Sequence, residues 1–270
     1  MKKAINVWSY TNKTVKECMT LAKEAGYDGI ELSLDEDGPT GLDATLEDWA
    51  NIKAYADELG LALPCVATGL YGSYPFTSED EKVREKGISI AIKQMEIAKA
   101  LGADSILVVP GAVNVHVSYD VAYDRALAAL MRLKTHAEAL QVRIAIENVW
   151  NQFLLSPLEM RDFIDKIDSL YVGAYFDVGN VIAIGFPEQW IKILGKRIFN
   201  VHFKDYRRVA GGFHGFVDLL AGDVNWPAVM DAFESVGYDG WAIAEMLPHY
   251  LHYPDQMIWN TFTSMTRIMG

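Results

Sequence analysis

Two periods alternate along this chain. Short apolar runs with few interruptions alternate with longer segments in which apolar side chains recur every three or four residues. The first pattern belongs to strands buried on both faces, the second to helices with one apolar stripe. Val142–Glu147 (VRIAIE) shows the strand pattern clearly, with Ile144, Ala145 and Ile146 closing on an acid. Ser156-Pro157-Leu158-Glu159 then opens a helix, with a serine N-cap, proline at the first helical position and an acid placed to return the cap bond. The unit reads strand, acid, loop, helix. It recurs in Tyr171–Asp177 (YVGAYFD) and Trp241–Glu245 (WAIAE), while Ile198–His202 (IFNVH) closes on an imidazole.

From the N-terminus, the pattern predicts a strand over Ala4–Trp8. A helix follows, capped by Thr14 and Glu17, with Val15, Cys18, Leu21, Ala22 and Ala25 on one face and Gly26 as its stop. Asp28–Ser33 is the second strand and Leu46–Leu59 the next helix, ended by Gly60. A third strand is expected over Leu61–Thr68. Ser78-Glu79-Asp80-Glu81 reads as a capping box for a helix reaching Leu101, and Ser105–Val109 as a fourth strand stopped by Pro110-Gly111. Further helices are expected at Asp120–Leu140, Pro157–Ile167, Pro187–Leu194, Trp226–Val236 and Pro254–Met269. Eight such units in 270 residues imply a parallel sheet closed into a (β/α)8 TIM barrel, a single domain over residues 1–270, since these barrels commonly take about 250 residues. Two connections, Gly69–Thr77 and Phe203–Asn225, have the length of lids and binding loops.

Composition narrows the partners. A hydrophobic content of 51% supports a large core, and a net charge of −12 opposes a protein that tracks a phosphate backbone. A small molecule is expected rather than nucleic acid. No apolar run approaches the roughly 18 residues that a membrane span needs, and Met1-Lys2-Lys3 leads straight into a strand rather than the apolar core of a leader. The expectation is a cytoplasmic protein without a membrane partner, with a homo-oligomer left open. Cys18 and Cys65 stand far apart, one on a helix face and one in a strand, and read as buried free thiols.

The strand-end residues carry the candidate chemistry. Barrels of this kind bind ligands at the carboxyl ends of their strands. Glu147, Asp177, His202 and Glu245 are therefore expected on one face, a donor set of three carboxylates and one imidazole suited to one divalent ion. The imidazole favours Mn2+ or Zn2+, with Mg2+ as a third candidate. Each residue alone would more often be a helix cap or an ion-pair partner; it is the set that points to a site. Asp205, three residues after His202, is a competing ligand, but His202 sits closer to its strand. Glu31 ends the second strand in the same manner and is expected to touch substrate or support the site. His116, His214, His249 and His252 fall in loops and are not assigned as ligands. Trp8, Tyr10, Tyr71, Tyr74 and Trp150 lie near strand ends, where an aromatic ring stacks on a ligand or simply packs. Lys204, Arg207 and Arg208 form a basic cluster beside the proposed site, which suits either a substrate phosphate or a solvated loop face.

Taken together, IEN at Glu147, FDVGN at Asp177, VHFKD at His202 and AEM at Glu245 resemble the xylose-isomerase-like barrel superfamily. Within it, the chain is most similar to the sugar and sugar-phosphate isomerases and epimerases, which include ketose 3-epimerases. The resemblance covers essentially the whole chain. It implies a divalent metal held by Glu147, Asp177, His202 and Glu245, with Glu147 and Glu245 doubling as acid and base. It also implies that Asn180 stands where the family often has a substrate-binding histidine, and that Arg208 matches a substrate-binding arginine. Lys204, Trp8 and Glu31 complete the expected substrate-facing set.

The chemistry asks for these residue types independently. A hydrogen beside a ketone is weakly acidic, and its removal becomes feasible when a metal stabilises the enediolate oxygens and a placed carboxylate takes the proton. Glu147 and Glu245 end strands three steps apart, so one can act on each face of a carbon and invert it. Two departures from the family bear on the substrate. Phe153 stands where some free-ketohexose epimerases carry a second substrate-binding acid, and Asn180 replaces the histidine, so a sugar phosphate or other polyol ketone is favoured over a free hexose. A 1,2-aldose/ketose isomerisation or a dehydration would use the same enediolate. An abasic-site endonuclease of the same barrel would need more strand-end histidines and a basic surface. A non-catalytic sugar-binding barrel would not need paired carboxylates.

Overall fold

The computed structural model describes residues 1–270. Its strands and helices are β1 (Lys2–Asn6), α1 (Val15–Ala25), β2 (Gly29–Ser33), α2 (Leu46–Leu59), β3 (Cys65–Ala67), α3 (Glu81–Leu101), β4 (Ser105–Val108), α4 (Tyr119–Leu140), β5 (Arg143–Glu147), α5 (Pro157–Ile167), β6 (Val172–Asp177), α6 (Val178–Ile182), α7 (Pro187–Leu194), β7 (Ile198–Phe203), β8 (Asp205–Tyr206), β9 (Phe216–Val217), α8 (Trp226–Val236), β10 (Trp241–Ala244) and α9 (Gln256–Met269). Eight strands close in the order β1-β10-β7-β6-β5-β4-β3-β2, and β8 and β9 form a separate antiparallel ribbon. The barrel pairs are parallel. Their register sets Asp177 opposite His202 and Glu147 opposite Tyr175, so Asp177 and His202 are neighbours before any side chain is considered.

Alternation of side chains along the strands creates two cores. A cluster of 70 buried residues fills the layer between sheet and helices. Inside the barrel, a cluster of 7 (Ala4, Cys65, Ala67, Leu107, Ala145, Tyr175 and Ile243) is flanked by Trp8 and Val109. The inward positions nearer the carboxyl ends are polar: Asn6, Glu31, Glu147, Asp177, His202 and Glu245 are all buried.

Several boundaries differ from the sequence reading. The first strand ends at Asn6 rather than Trp8, because the Asn6 side chain accepts from the Trp8 backbone N–H at 2.6 Å and turns Val7–Ser9 into a 3-10 helix. The third strand is confined to Cys65–Ala67, preceded by Pro64, which has no N–H for the ladder. The capping box at Ser78 does not form: Asp80 is the N-cap, accepting from the Lys82 backbone N–H, and α3 starts at Glu81. The short α6 has no counterpart among the helices expected from the pattern; it begins directly after Asp177, which caps it. No helix is long and apolar enough to cross a membrane.

Candidate metal centre

Each ligand candidate is delivered by the end of a strand and fixed by local bonds. Asp177 closes β6 and serves as the N-cap of α6, its Oδ1 accepting from the Asn180 N–H at 2.8 Å. Asn148, the residue after Glu147, clamps the tips of β5 and β6. Its Nδ2 donates to the Asp177 carbonyl and its Oδ1 accepts from the Asp177 N–H, both at 2.9 Å. The Glu245 N–H bonds to the Phe203 carbonyl at 3.2 Å, continuing β10 past its last ladder residue. The outcome is convergence: one donor atom each from Glu147, Asp177, His202 and Glu245 lies within 4.8 Å of the others.

His202 is the hub. Its Nδ1 lies 3.0 Å from Glu147 Oε1, 3.1 Å from Glu245 Oε2 and 3.9 Å from Asp177 Oδ2. Its Nε2 points the other way, 2.9 Å from Glu31 Oε2. Glu31 in turn accepts from Asn6 Nδ2 and, at 2.7 Å, from the Tyr175 hydroxyl. The Tyr175 and His202 ring centroids are 4.3 Å apart.

One lysine also enters this acidic cluster. Lys204 Nζ lies 2.7 Å from Glu245 Oε2 and 3.3 Å from Asp177 Oδ2, with the Phe216 ring 5.0 Å away. Burial works against its ammonium form, but Asp177, Glu245 and Glu147 outweigh burial and strengthen its hold on the proton. Burial, joined by repulsion from Glu245 and Asp177, pushes the Glu147 carboxyl up to about 7 despite the opposing pull of His202. Asp177 is likewise raised, by burial above all, with Lys204 opposing. Burial also disfavours ionised Glu245, yet Lys204 and His202 reverse it and hold the carboxyl well below the usual range. For His202 burial disfavours charge, while Glu31, Glu147 and Glu245 together raise it well above the ordinary imidazole value.

The residues fit a divalent ion. Asp177 Oδ2 is buried and accepts no hydrogen bond, with only the Lys204 ammonium beside it at 3.3 Å, and a buried carboxylate oxygen left without a hydrogen bond is costly unless a further cation takes it. Three carboxylates and one imidazole at mutual ligand spacing match the donor set of such an ion.

The other expected residues are distributed more widely. Asn180 is buried beside Asp177, with its Nδ2 donating to the Asn148 carbonyl at 3.0 Å. Arg207 and Arg208 are exposed. Arg208 Nε and Nη2 donate to the Ile182 and Gly185 carbonyls at 2.8 and 3.0 Å, and its guanidinium lies 5.4 Å from the Phe186 ring. The basic cluster is thus divided, with Lys204 committed to the acids and the two arginines on the loop. Trp8 is half-buried at the barrel mouth, its carbonyl bonded to His249 Nε2 at 2.8 Å, beside a cavity of about 170 Å³ lined in part by Lys13, Ser33, Asp35 and Thr40. Glu31, 0% exposed, is enclosed by Asn6, Tyr175 and His202, below the ligand atoms.

Asp205 is not among the converging donors. Its oxygens accept from the N–H groups of Tyr206, Leu220 and Val224 and from Trp226 Nε1, at 2.8 to 3.2 Å, so it knots the long loop after β7. Gly222 passes so close that an added Cβ would lie 2.1 Å from Asp205 Oδ1. Trp150 donates to the Asn180 carbonyl at 2.9 Å and stacks on Phe216 at 5.0 Å, locking the β5 and β7 loops together. Tyr71 is a core residue bonded to Gln94. His116, His214 and His252 are exposed. Sequence reasoning assigned no role to Asn148, Tyr175 or Asn6. The first is the last letter of IEN, and Tyr175 stands two residues before Asp177, hence on the same face of β6.

The sequence matches the family described as xylose isomerase-like TIM barrel over residues 19–260. The chain belongs to this family. Among curated relatives of this xylose isomerase-like barrel is the provisionally named L-ribulose-5-phosphate 3-epimerase SgbU of Escherichia coli strain K12, 29% identical over 245 residues, covering 85% of this chain and 82% of the other. L-ribulose-5-phosphate 3-epimerase UlaE of Salmonella heidelberg is 26% identical over 231 residues, covering 84% and 80%. The structure of D-psicose 3-epimerase from Clostridium cellulolyticum H10 with D-tagatose superposes with a TM-score of 0.83 at 15% identity, covering 99% of this chain and 98% of that one. That likeness is one of fold.

Proposed function

We propose that this protein is a divalent-metal-dependent 3-epimerase of a ketose or ketose phosphate. The observation that carries this reading is the placement of two glutamates. Glu147 and Glu245 come from β5 and from the end of β10, which β6 and β7 separate, yet they place oxygens 3.0 and 3.1 Å from the same His202 Nδ1. Two carboxylates reaching one spot from different strands are what inversion requires: one takes the proton from a face of the carbon beside the ketone, and the other returns a proton to the opposite face. A divalent ion, Mn2+ or Zn2+ with Mg2+ as the third candidate, would be held by Glu147, Asp177, His202 and Glu245 and would offset the negative charge that develops on the substrate oxygens. Trp8 would wall the mouth, with Asn180, Lys204 and Arg208 completing the substrate's surroundings. The L-ribulose-5-phosphate 3-epimerase relatives support a five-carbon ketose phosphate as substrate, and a cytoplasmic location fits such a metabolite.

Exchange with solvent tests this. Ketoses and ketose phosphates incubated with the Mn2+-loaded protein in D2O should gain deuterium at C3 as the C3 epimer appears. Glu147→Gln and Glu245→Gln should each lower conversion by about 10²-fold or more, the usual worth of a positioned base. Each variant should still wash deuterium into the one epimer whose proton faces the surviving carboxylate. If one variant loses all exchange while the other keeps turnover, a single shared base is at work and the reaction is a 1,2-isomerisation. Absence of exchange on every ketose and ketose phosphate would remove the epimerase reading.

A further inference from the structure

We infer that Glu31 is a positioning residue for the metal-binding histidine rather than a substrate contact, an inference that rests on the metal-centre reading above. The geometry is that of a closed relay. Glu31 ranks among the most enclosed side chains of the barrel, at 0% exposure, and both of its oxygens are committed within it. Oε2 faces His202 Nε2 at 2.9 Å and accepts from Asn6 Nδ2, while Oε1 accepts from the Tyr175 hydroxyl at 2.7 Å. At 0% exposure the carboxylate offers no surface that a sugar could reach.

The relay selects one nitrogen of His202. An imidazole has two nitrogens, and the one that coordinates is set by the bond the other makes. With Nε2–H donating to Glu31, Nδ1 is the nitrogen turned toward Glu147, Asp177 and Glu245, and it is the one that would coordinate once an ion replaces its proton. Tyr175 adds a second restraint on the ring. Its centroid lies 4.3 Å from that of His202 at an interplanar angle of 54°, and its hydroxyl is tied to the same Glu31 carboxylate. Asn6, on β1, donates to Oε2, the same oxygen that faces His202. Residues from β1, β2 and β6 therefore orient a ligand on β7, and a strand that supplies no first ligand still tunes the centre.

The test measures Zn2+ affinity by chelator competition and the histidine tautomer by 15N NMR, both on the full-length protein. His202 is assigned among the 6 histidines by loss of its signal in His202→Asn. The Zn2+-loaded wild type should show His202 coordinated through Nδ1 with a proton on Nε2. Glu31→Gln keeps the shape but presents a neutral amide whose NH2 can face Nε2. It should weaken Zn2+ binding about 10- to 100-fold, the usual cost of losing a ligand's outer partner, and the single Nε2–H signature should be lost. Tyr175→Phe, which keeps the carboxylate and the ring, should weaken Zn2+ by less than Glu31→Gln and keep the signature. Glu31→Gln binding Zn2+ as tightly as wild type would overturn the inference. So would wild-type His202 coordinating through Nε2, a result that decides the matter even if Glu31→Gln does not fold. Failure of the wild type to bind Zn2+ or Mn2+ at all would instead remove the metal centre itself.

Discussion

Two buried regions of this barrel, the layer between sheet and helices and the acidic upper interior, differ in what holds them together. The layer between sheet and helices consists of aliphatic and aromatic side chains such as Ile144, Phe163, Val201 and Met265, all at 0% exposure, and is stabilised by area removed from water at about 25 cal/mol per Å². The upper barrel interior buries four acids, Glu31, Glu147, Asp177 and Glu245, against one histidine and one lysine. Taking such charges out of water costs several kcal/mol per ion, and mutual attraction offsets it only partly. The difference teaches where function sits. The outer core explains why the barrel stands, whereas the inner cluster is a cost that the fold sustains, and Asp177 Oδ2, which accepts no hydrogen bond, marks what the cluster lacks.

The comparison is sharpened most by a change in the outer layer. Phe163→Ala empties a position packed edge-on against Tyr123 at 5.1 Å and against Phe153 at 5.8 Å, and should cost about 3–5 kcal/mol of unfolding free energy. Denaturant titration measures the loss, and Zn2+ affinity of the folded protein should stay within about threefold. A parallel collapse of metal binding would show that the two regions are not separable.

Asp177→Asn should do the reverse. The Asn Oδ1 can keep the cap bond to the Asn180 N–H, while a buried charge and a ligand oxygen are removed. Divalent-ion affinity, read by calorimetry, should fall by more than the roughly 10–100-fold typical of an outer partner. The metal-free protein should lose no more than about 1 kcal/mol, because one of the mutually repelling acids is gone. A large stability loss without metal would mean that Asp177 is structural first.

The smallest effect belongs to the rim. Arg197 pairs with Asp165 at 2.5 Å, both side chains about a third to a half exposed, so Arg197→Ala should cost about 0.2–1 kcal/mol at neutral pH. The hydrogen bond from Arg197 holds the Asp165 carboxyl below its ordinary value. The contribution is therefore present above the unfolded-state value of about 4 and lost as pH falls through the lower folded-state value. Unfolding curves of wild type and variant should converge in acid; a gap that widened there would contradict the pairing.

Much of this was legible along the chain because burial on both faces leaves a local record. VRIAIE, YVGAYF and WAIA read as strands since nearly every position is buried, only Arg143, Tyr171 and Trp241 near their starts being half-buried, and Gly26, Gly60 and Gly102, at φ of 105, 64 and 71°, ended their helices where the left-handed conformation was needed. Placing Glu147, Asp177, His202 and Glu245 at strand ends required only strand length and the rule that barrel ligands gather at one end. The sequence also determined the competition between His202 and Asp205 as a question, three residues apart, without answering it.

Only the closed barrel decided the rest. Asp205 became the knot of a loop because Leu220, Val224 and Trp226, 15 to 21 residues away, fold back onto it. Lys204 left the basic cluster that its neighbours suggest because its side chain turns inward with the acids, while Arg207 and Arg208 stay outside. Glu31 could not be told from a substrate ligand until β2 and β7 were set across the barrel from each other and 171 residues of separation shrank to 2.9 Å. A strand end carries the information for which residue sits there; what that residue's side chain meets is fixed by closure and register, and those are properties of all eight strands at once.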